Sequence, residues 1–178
     1  HIRGAVEVAN ARRIGHGVDI EWERDPAGLL AEMARKKVMV EINLTSNDVI
    51  LNVKGTSHPF ALYRKAGVPM ALSTDDEGVS RGDLTQEYLR AATTWPLSYQ
   101  DMKELSRNGL TYSFIPGESL WADGHVVPAC QDMKSKSCQD FAARSEKAGL
   151  QIELENNFSQ FEATVAHNSL LTDAGQPG

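Results

Sequence analysis

The chain has 178 residues, of which 41% are hydrophobic and 24% are charged, and its formal net charge is −6 at pH 7. This length and apolar content are sufficient for the core of an ordinary domain. The negative charge argues against nucleic acid or an anionic membrane surface as the main partner, and the sequence has no apolar run of the roughly 18–20 residues that span a bilayer.

Up to about residue 95, the sequence predicts helices and strands in alternation. The helix from Asp25 is well marked, because Asp25 can cap its first turn and Pro26 fits that turn. Gly67 ends the helix that begins at His58. In chain order the segments are a helix at 2–11, a short strand running into a loop at 12–20, a helix at 25–37, a strand at 38–44, a loop at 45–57, a helix at 58–66, a strand at 68–74 and a helix at 83–95.

The three predicted strands recur every 25–30 residues, near positions 13, 38 and 68, with a helix between each pair. This spacing is typical of βαβ units and of a parallel sheet. The strands VMVEINL and VPMALST are mostly apolar, as expected of strands that are buried on both faces. Residues 1–95 are therefore predicted to form one α/β domain.

After Trp95 the pattern becomes helical. A helix is predicted from Ser98, which is a good N-cap, and Pro116-Gly117 must end it. Residues 117–138 form a predicted polar loop, and a long helix at 139–167 follows, with an apolar stripe that is expected to pack against the preceding domain. The stripe consists of Leu154, Phe158, Phe161 and Val165. Residues 96–178 are thus predicted to be a helical extension.

The sequence does not decide whether the protein is cytoplasmic or exported. The sequence begins with His1 rather than Met, so we expect the true N-terminus, with any targeting signal, to lie outside these residues. Cys130 and Cys138, the only cysteines, stand eight apart in the polar loop. A disulfide between them would suit an oxidising compartment, and two free thiols fit the spacing equally well.

Polar residues follow each predicted strand, at the carboxyl ends where parallel α/β sheets place their working sites. His16 stands between two glycines, Asn47 lies in the Thr-Ser-Asn-Asp segment at 45–48, and Asp75 and Asp76 follow the third strand. Each has a structural alternative: packing for the histidine, a turn for 45–48, and a helix-dipole partner for the acidic pair. We favour one shared site, because side chains from three successive strand ends would meet on one face.

The two aspartates are expected to have different roles. Side chains alternate along a strand, so Asp75 and Asp76 cannot both point inward. A divalent metal fits Asp75, since an aspartate oxygen is a common ligand beside histidines. The spacing therefore indicates a metallohydrolase site but does not identify its substrate.

Five segments, in this order, resemble the carboxyl-terminal half of the adenosine deaminase family of the amidohydrolase superfamily. They are RIGHG, TSN, the HP that opens a helix, AGVPMALSTDDEG and LTQEY, and the resemblance runs from about residue 2 to residue 115. It implies an α/β fold in which this chain supplies the last three or so strand–helix units of a (β/α)8 TIM barrel, followed by a helical extension.

The resemblance also implies one catalytic Zn2+ and a role for each site residue. Asp75 resembles the zinc ligand from strand eight, and Asp76 the group that hydrogen-bonds the purine ring on its five-membered side. His16, at the end of strand six, resembles the residue that orients the zinc-bound water and stabilises its hydroxide form. The implied reaction is the hydrolysis of adenosine, a small-molecule nucleoside, to inosine and ammonia.

Two family motifs do not occur in these 178 residues: the HxH pair of strand one, and the strand-five histidine with the nearby HAGE glutamate. His1 is not a substitute, because it stands at the start of a predicted helix. We therefore expect the chain to be a fragment, inactive alone, whose partner is the missing amino-terminal half of the barrel.

Two alternatives to an adenosine deaminase remain. The intact protein could deaminate adenine, a modified adenosine or another aminopurine, because most residues that read the ribose would lie outside this chain. A half-barrel retained as a non-catalytic binding or assembly module is the other, although such a module would not need an acidic pair at the end of a buried strand.

Overall fold

A computed structural model describes residues 1–122 and 124–173 of the chain, with side chains described as far as residue 168. It divides the chain into two compact units, the first comprising residues 1–113 and the second beginning at residue 114. None of the described helices is long and apolar enough to cross a membrane.

The first unit contains a three-stranded parallel sheet, as the sequence predicts. Its strands are β1 (Arg13–Gly15), β2 (Met39–Ile42) and β3 (Met70–Leu72), and their order in the sheet is β1-β2-β3. Both pairs are parallel, with Ile14 opposite Val40 in the first pair. All three carboxyl ends therefore lie at one edge of the sheet.

Seven α-helices among the described residues complete this unit. They are α1 (Ile2–Glu7), α2 (Pro26–Lys36), α3 (Leu44–Leu51), α4 (Phe60–Ala66), α5 (Glu77–Ser80), α6 (Leu84–Thr94) and α7 (Tyr99–Thr111). Short 3-10 turns occur at Ile20–Trp22 and Gly55–Ser57. The helices and the sheet share one apolar core, which includes Leu29, Met33, Val40, Ile42, Phe60 and Tyr63.

Helix α3 corrects the prediction of a loop at 45–57. The side chain of its N-cap residue, Asn43, makes no cap hydrogen bond. The acceptor comes instead from α6, where the carboxylate of Glu87 accepts hydrogen bonds from the backbone N–H of Leu44, at 2.8 Å, and of Thr45. Helix α3 thus begins on a contact between residues 43 positions apart, which no local sequence signal reveals.

Helix α7 belongs to the first unit, so the division between units lies later than the predicted boundary at residue 95. Leu105 of α7 is buried in the core of that unit. Asn108 donates a hydrogen bond from Nδ2 to the carbonyl of Met70 in β3, over 2.9 Å. The N-cap predicted at Ser98 is present, in a capping box in which Ser98 and Asp101 exchange hydrogen bonds.

The second unit contains structure where the sequence predicts a polar loop and one helix. A two-stranded antiparallel hairpin, β4 (Trp121–Ala122) and β5 (His125–Val126), precedes two helices, α8 (Lys136–Ala142) and α9 (Glu146–Asp173). The predicted single helix at 139–167 is therefore wrong, because Ser145 interrupts it: its hydroxyl accepts from the N–H of Ala148 and donates to the carbonyl of Glu118.

Cys130 and Cys138 form a disulfide, which decides between the two states that the sequence left open. Both cysteines are fully buried, and with Leu120 they form the small core of the second unit. The backbone N–H of Leu120 donates to Oε1 of Gln151 at 2.7 Å, which ties this core to α9.

The buried carboxylate of Glu87, which accepts from the first turn of α3, provides a test of the fold. Glu87 is 3% exposed, and replacing it with leucine would leave the N–H groups of Leu44 and Thr45 without their acceptor. We expect Glu87→Leu to lower the free energy of unfolding of the full-length protein by about 1–3 kcal/mol, measured by urea denaturation. Glu87→Gln retains one acceptor oxygen and should cost less; equal stability of wild type and Glu87→Leu would contradict this account of α3.

Candidate active site

His16 lies in a sharp turn directly after β1. Its backbone N–H donates to the carbonyl of Glu41 in β2 at 2.9 Å, which continues the parallel pairing for one more residue. The φ angles of His16 and Gly17 are +63° and +64°, in the left-handed region. Residues other than glycine adopt this conformation uncommonly, although histidine does so more often than most, and the hydrogen bonds around the turn hold it here.

Gly17 and Tyr63 hold this turn in place. The hydroxyl of Tyr63, a fully buried residue of α4, donates to the carbonyl of Gly17 at 2.6 Å. A Cβ atom at position 17 would lie 2.6 Å from that hydroxyl oxygen and 2.8 Å from Cγ1 of Val40. Burial raises the pKa of the Tyr63 hydroxyl, so it stays protonated as a donor. Only glycine fits at position 17, and His16 is positioned as a result.

Asp75 also has a left-handed backbone, with a φ angle of +54°, just beyond β3. The hydroxyl of Ser46, in the first turn of α3, donates to Asp75 Oδ2 at 2.7 Å. His16 Nε2 lies 3.7 Å from the same carboxylate oxygen. Residues from three successive strand ends thus meet, as the sequence analysis expected of His16 and Asp75.

Asn47, on α3, lies between two histidine rings. Its side-chain amide is 2.8 Å from Nδ1 of His16 on one side and 2.8 Å from Nε2 of His58 on the other. Asn43 Nδ2 is 3.3 Å from the same Nδ1 of His16. Asn47 and His58 are 1% and 2% exposed, whereas the His16 side chain is partly exposed. Burial lowers the pKa of His58 to about 4, so its ring is neutral at neutral pH.

Asp76 does not join this group. It is the exposed residue that precedes α5, where its carbonyl accepts from the Ser80 hydroxyl. The described wall of the cleft beside His16 includes Asp75 but not Asp76. Its predicted role toward a purine ring stays a prediction.

A cleft of about 360 Å³ opens beside these residues. Ser46, Asn47, His16 and Asp75 form a polar part of its wall, and apolar side chains form another part. The apolar part includes Ile2, Ile14, Ile50 and Leu51. A polar group beside an apolar surface is the usual composition of a site for a small ligand with both kinds of surface.

The side chains around Asp75 are suited to form one part of a zinc site. Among the residues that the structure describes, no group of three or more His, Cys, Asp and Glu side chains could hold a metal ion. The carboxylate of Asp75 is nevertheless a type of group found at zinc sites, and the imidazole of His16 lies 3.7 Å from it. Ser46 fixes the orientation of the carboxylate, as hydrogen-bond partners of metal ligands do.

Sequence reasoning did not find the supporting residues Asn43, His58 and Tyr63. The HP pair that precedes α4 is one of the five resembling segments, but no pattern in the sequence indicates that His58 faces Asn47. Tyr63 lies on the apolar face of α4 and is not distinguishable from an ordinary core residue in the sequence.

Comparisons with known proteins agree on one family. The sequence profile described as "Adenosine deaminase" matches residues 1–121. The chain is 38% identical over 106 residues to an adenosine deaminase of Enterococcus faecalis, covering 59% of this chain and 31% of that protein. It is 35% identical over 116 residues to an aminodeoxyfutalosine deaminase of Streptomyces coelicolor, covering 64% and 29%.

A solved structure is similar as well. The apo N6-methyl-AMP deaminase of Arabidopsis thaliana matches with a TM-score of 0.51 and 31% identity, over 59% of this chain and 30% of that one. The chain therefore spans about a third of the length of the curated relatives that it matches. The fold of the first unit is that of the carboxyl-terminal part of a (β/α)8 barrel, as the sequence analysis expected.

The neutral, buried ring of His58 predicts a loss of stability in acid. Its pKa is about 4 in the folded protein and ordinary, near 6.5, in the unfolded chain, so the unfolded chain binds a proton first as the pH falls. The contribution of the neutral His58 ring to the free energy of unfolding should be complete above pH ~6.5. It should decrease by on the order of 2–3 kcal/mol as the pH falls to ~4. Urea denaturation at several pH values measures this.

His58→Gln is the control for this prediction, since glutamine does not titrate. The difference in unfolding free energy between wild type and His58→Gln should change across pH 4–6.5. A difference independent of pH would show that the pKa of His58 is the same in the folded and unfolded states, and would contradict the prediction.

Proposed function

This chain belongs to the adenosine deaminase family, and on that premise we propose that the intact protein is a zinc-dependent hydrolase that converts adenosine to inosine and ammonia. One observation carries the proposal: His16 Nε2 and Asp75 Oδ2 lie 3.7 Å apart at the carboxyl edge of the sheet, each on a left-handed backbone. A left-handed backbone at residues other than glycine carries a cost, and costs of this kind are concentrated at functional sites.

Asp75 is the proposed zinc ligand of this chain. Zinc, when bound, would supply Lewis acidity and make hydroxide available at neutral pH. Ser46 donates to Oδ2 of Asp75, and no described residue donates to Oδ1, so one carboxylate oxygen is left for a metal. The other ligands would come from parts of the protein that these 178 residues do not include.

His16 is proposed to act on the attacking water. Its Nε2 faces the carboxylate of Asp75 and the cleft, so a water at this edge would lie within its reach. The imidazole would orient that water and stabilise the negative charge on its oxygen as attack begins. The oxygen then bonds to the ring carbon that carries the amine, the carbon–nitrogen bond breaks, and the amine leaves as ammonia after gaining a proton that the attacking water has lost.

Asp76 is proposed to hydrogen-bond the purine ring on its five-membered side. What supports this is its position one residue beyond Asp75, at the same edge of the sheet. Since Asp76 is exposed and outside the described cleft wall, the α5 segment would have to bring it toward a bound purine.

A second candidate is deamination of another aminopurine. The names of the relatives favour it, because an aminodeoxyfutalosine deaminase is nearly as similar to this chain as an adenosine deaminase is. The decisive experiment is an assay of the full-length protein with zinc against adenosine, adenine, N6-methyl-AMP and aminodeoxyfutalosine, following ammonia release. The highest kcat/KM should be with adenosine; another purine in that position would select the second candidate, and no turnover of any would reject both.

Asp75 and His16 should be separable by metal content. In the full-length protein, we expect Asp75→Ala to lose zinc and activity together, because a ligand is removed. His16→Ala should keep its zinc and lose ~10²-fold or more in kcat, since charge stabilisation at the attacking water is lost. Metal analysis and steady-state kinetics on both variants make the comparison, and equal zinc loss in both would show that His16 is itself a ligand.

A further inference from the structure

The chain of contacts from α4 to His16 contains one group whose hydrogen-bonding role is fixed. The backbone N–H of Phe60 donates to Nδ1 of His58 at 3.1 Å. A backbone N–H can only donate, so Nδ1 of His58 must be an acceptor and carries no proton. In a neutral imidazole the proton then resides on the other nitrogen, Nε2.

Nε2 of His58 is therefore a donor, and it faces the amide of Asn47 at 2.8 Å. A donor requires an acceptor opposite it, which on an amide is the oxygen. The structure has Nδ2 of Asn47 toward His58 and Oδ1 toward His16, which would set two donors against each other. A half-turn of the amide exchanges its two ends, keeps both 2.8 Å contacts, and removes the conflict.

With the amide turned, its NH2 group faces Nδ1 of His16, which must accept. The contact from Asn43 is compatible with this, because in the structure Asn43 Nδ2, a donor, is 3.3 Å from the same Nδ1. We therefore propose that Asn47 and His58 are positioning residues that place the proton of the neutral His16 ring, whenever the ring is neutral, on Nε2. The donors act in series: Phe60 N–H donates to His58, His58 to Asn47, and Asn47 to His16.

This tautomer determines what His16 can do at the edge of the cleft. Its Nε2 lies 3.7 Å from Asp75 Oδ2; with a proton there it can donate to a negatively charged oxygen, but it cannot accept a proton while the ring is neutral. The inference thus deepens the proposed function, on which its chemical meaning rests: His16 acts on the attacking water as a donor and not as a base.

The test is ¹⁵N NMR of the full-length protein labelled at histidine, recorded near pH 8.5, where ordinary histidines are neutral. Protonated and unprotonated ring nitrogens have well-separated ¹⁵N shifts, and His16→Gln and His58→Gln identify the two sets of signals. Both rings should show Nε2 protonated and Nδ1 unprotonated. His16 with its proton on Nδ1 would overturn the proposal.

Asn47→Asp provides a second, directional readout. A carboxylate only accepts, so one oxygen can still accept from His58 while the other now requires a donor from His16. We expect His58 to be unchanged and Nδ1 of His16 to become protonated. Asn52→Asp, which adds the same charge at the exposed carboxyl-terminal end of α3, should leave Nδ1 of His16 unprotonated. An unprotonated Nδ1 in Asn47→Asp would also overturn the proposal.

These signals are read without substrate, so they separate the two hypotheses. If the protein deaminates none of the purines and His16 still shows the Nε2–H tautomer, the proposed function fails and the inference stands. A deaminase whose His16 carries its proton on Nδ1 would have the proposed function without this arrangement.

Discussion

Parallel pairing of β1, β2 and β3 sets their carboxyl ends at one edge of the sheet, and the whole candidate site is built on that edge. Each strand then turns sharply, and His16 and Asp75 occupy left-handed backbone positions in doing so. A buried hydroxyl, that of Tyr63, fixes the first turn through the carbonyl of Gly17. A core residue thus holds the turn that carries His16.

Helix α3 connects the two residues, and it is held mainly by polar contacts. The carboxylate of Glu87 accepts a hydrogen bond from a backbone N–H of the first turn of α3. Arg90 of α6 forms an ion pair with Asp48 of α3. Because Glu87 is buried, leaving its carboxylate or the N–H groups that it accepts from unpaired would be costly. That cost explains how a short helix can present Ser46 to Asp75 and Asn47 to His16 with fixed geometry.

The sequence predicted the parallel sheet, most helices of the first unit and the meeting of His16 with Asp75, because strand spacing and apolar runs are local signals. It missed α3, whose N-terminus is satisfied by Glu87 from a distant helix. It could not identify His58 as a partner of Asn47 either, since a buried polar contact has no periodicity. The sequence left the pairing of Cys130 with Cys138 undecided, because their spacing is compatible with a disulfide but does not require one. The structure shows that they are paired.

The central claim is that this edge of the sheet is part of a zinc site. Anomalous diffraction from crystals of the full-length protein grown with zinc tests it most directly. The account predicts a zinc peak about 2.0–2.2 Å from a carboxylate oxygen of Asp75, with His16 nearby but outside the ligand set. A zinc ion bound elsewhere, with Asp75 more than about 4 Å away, would contradict it.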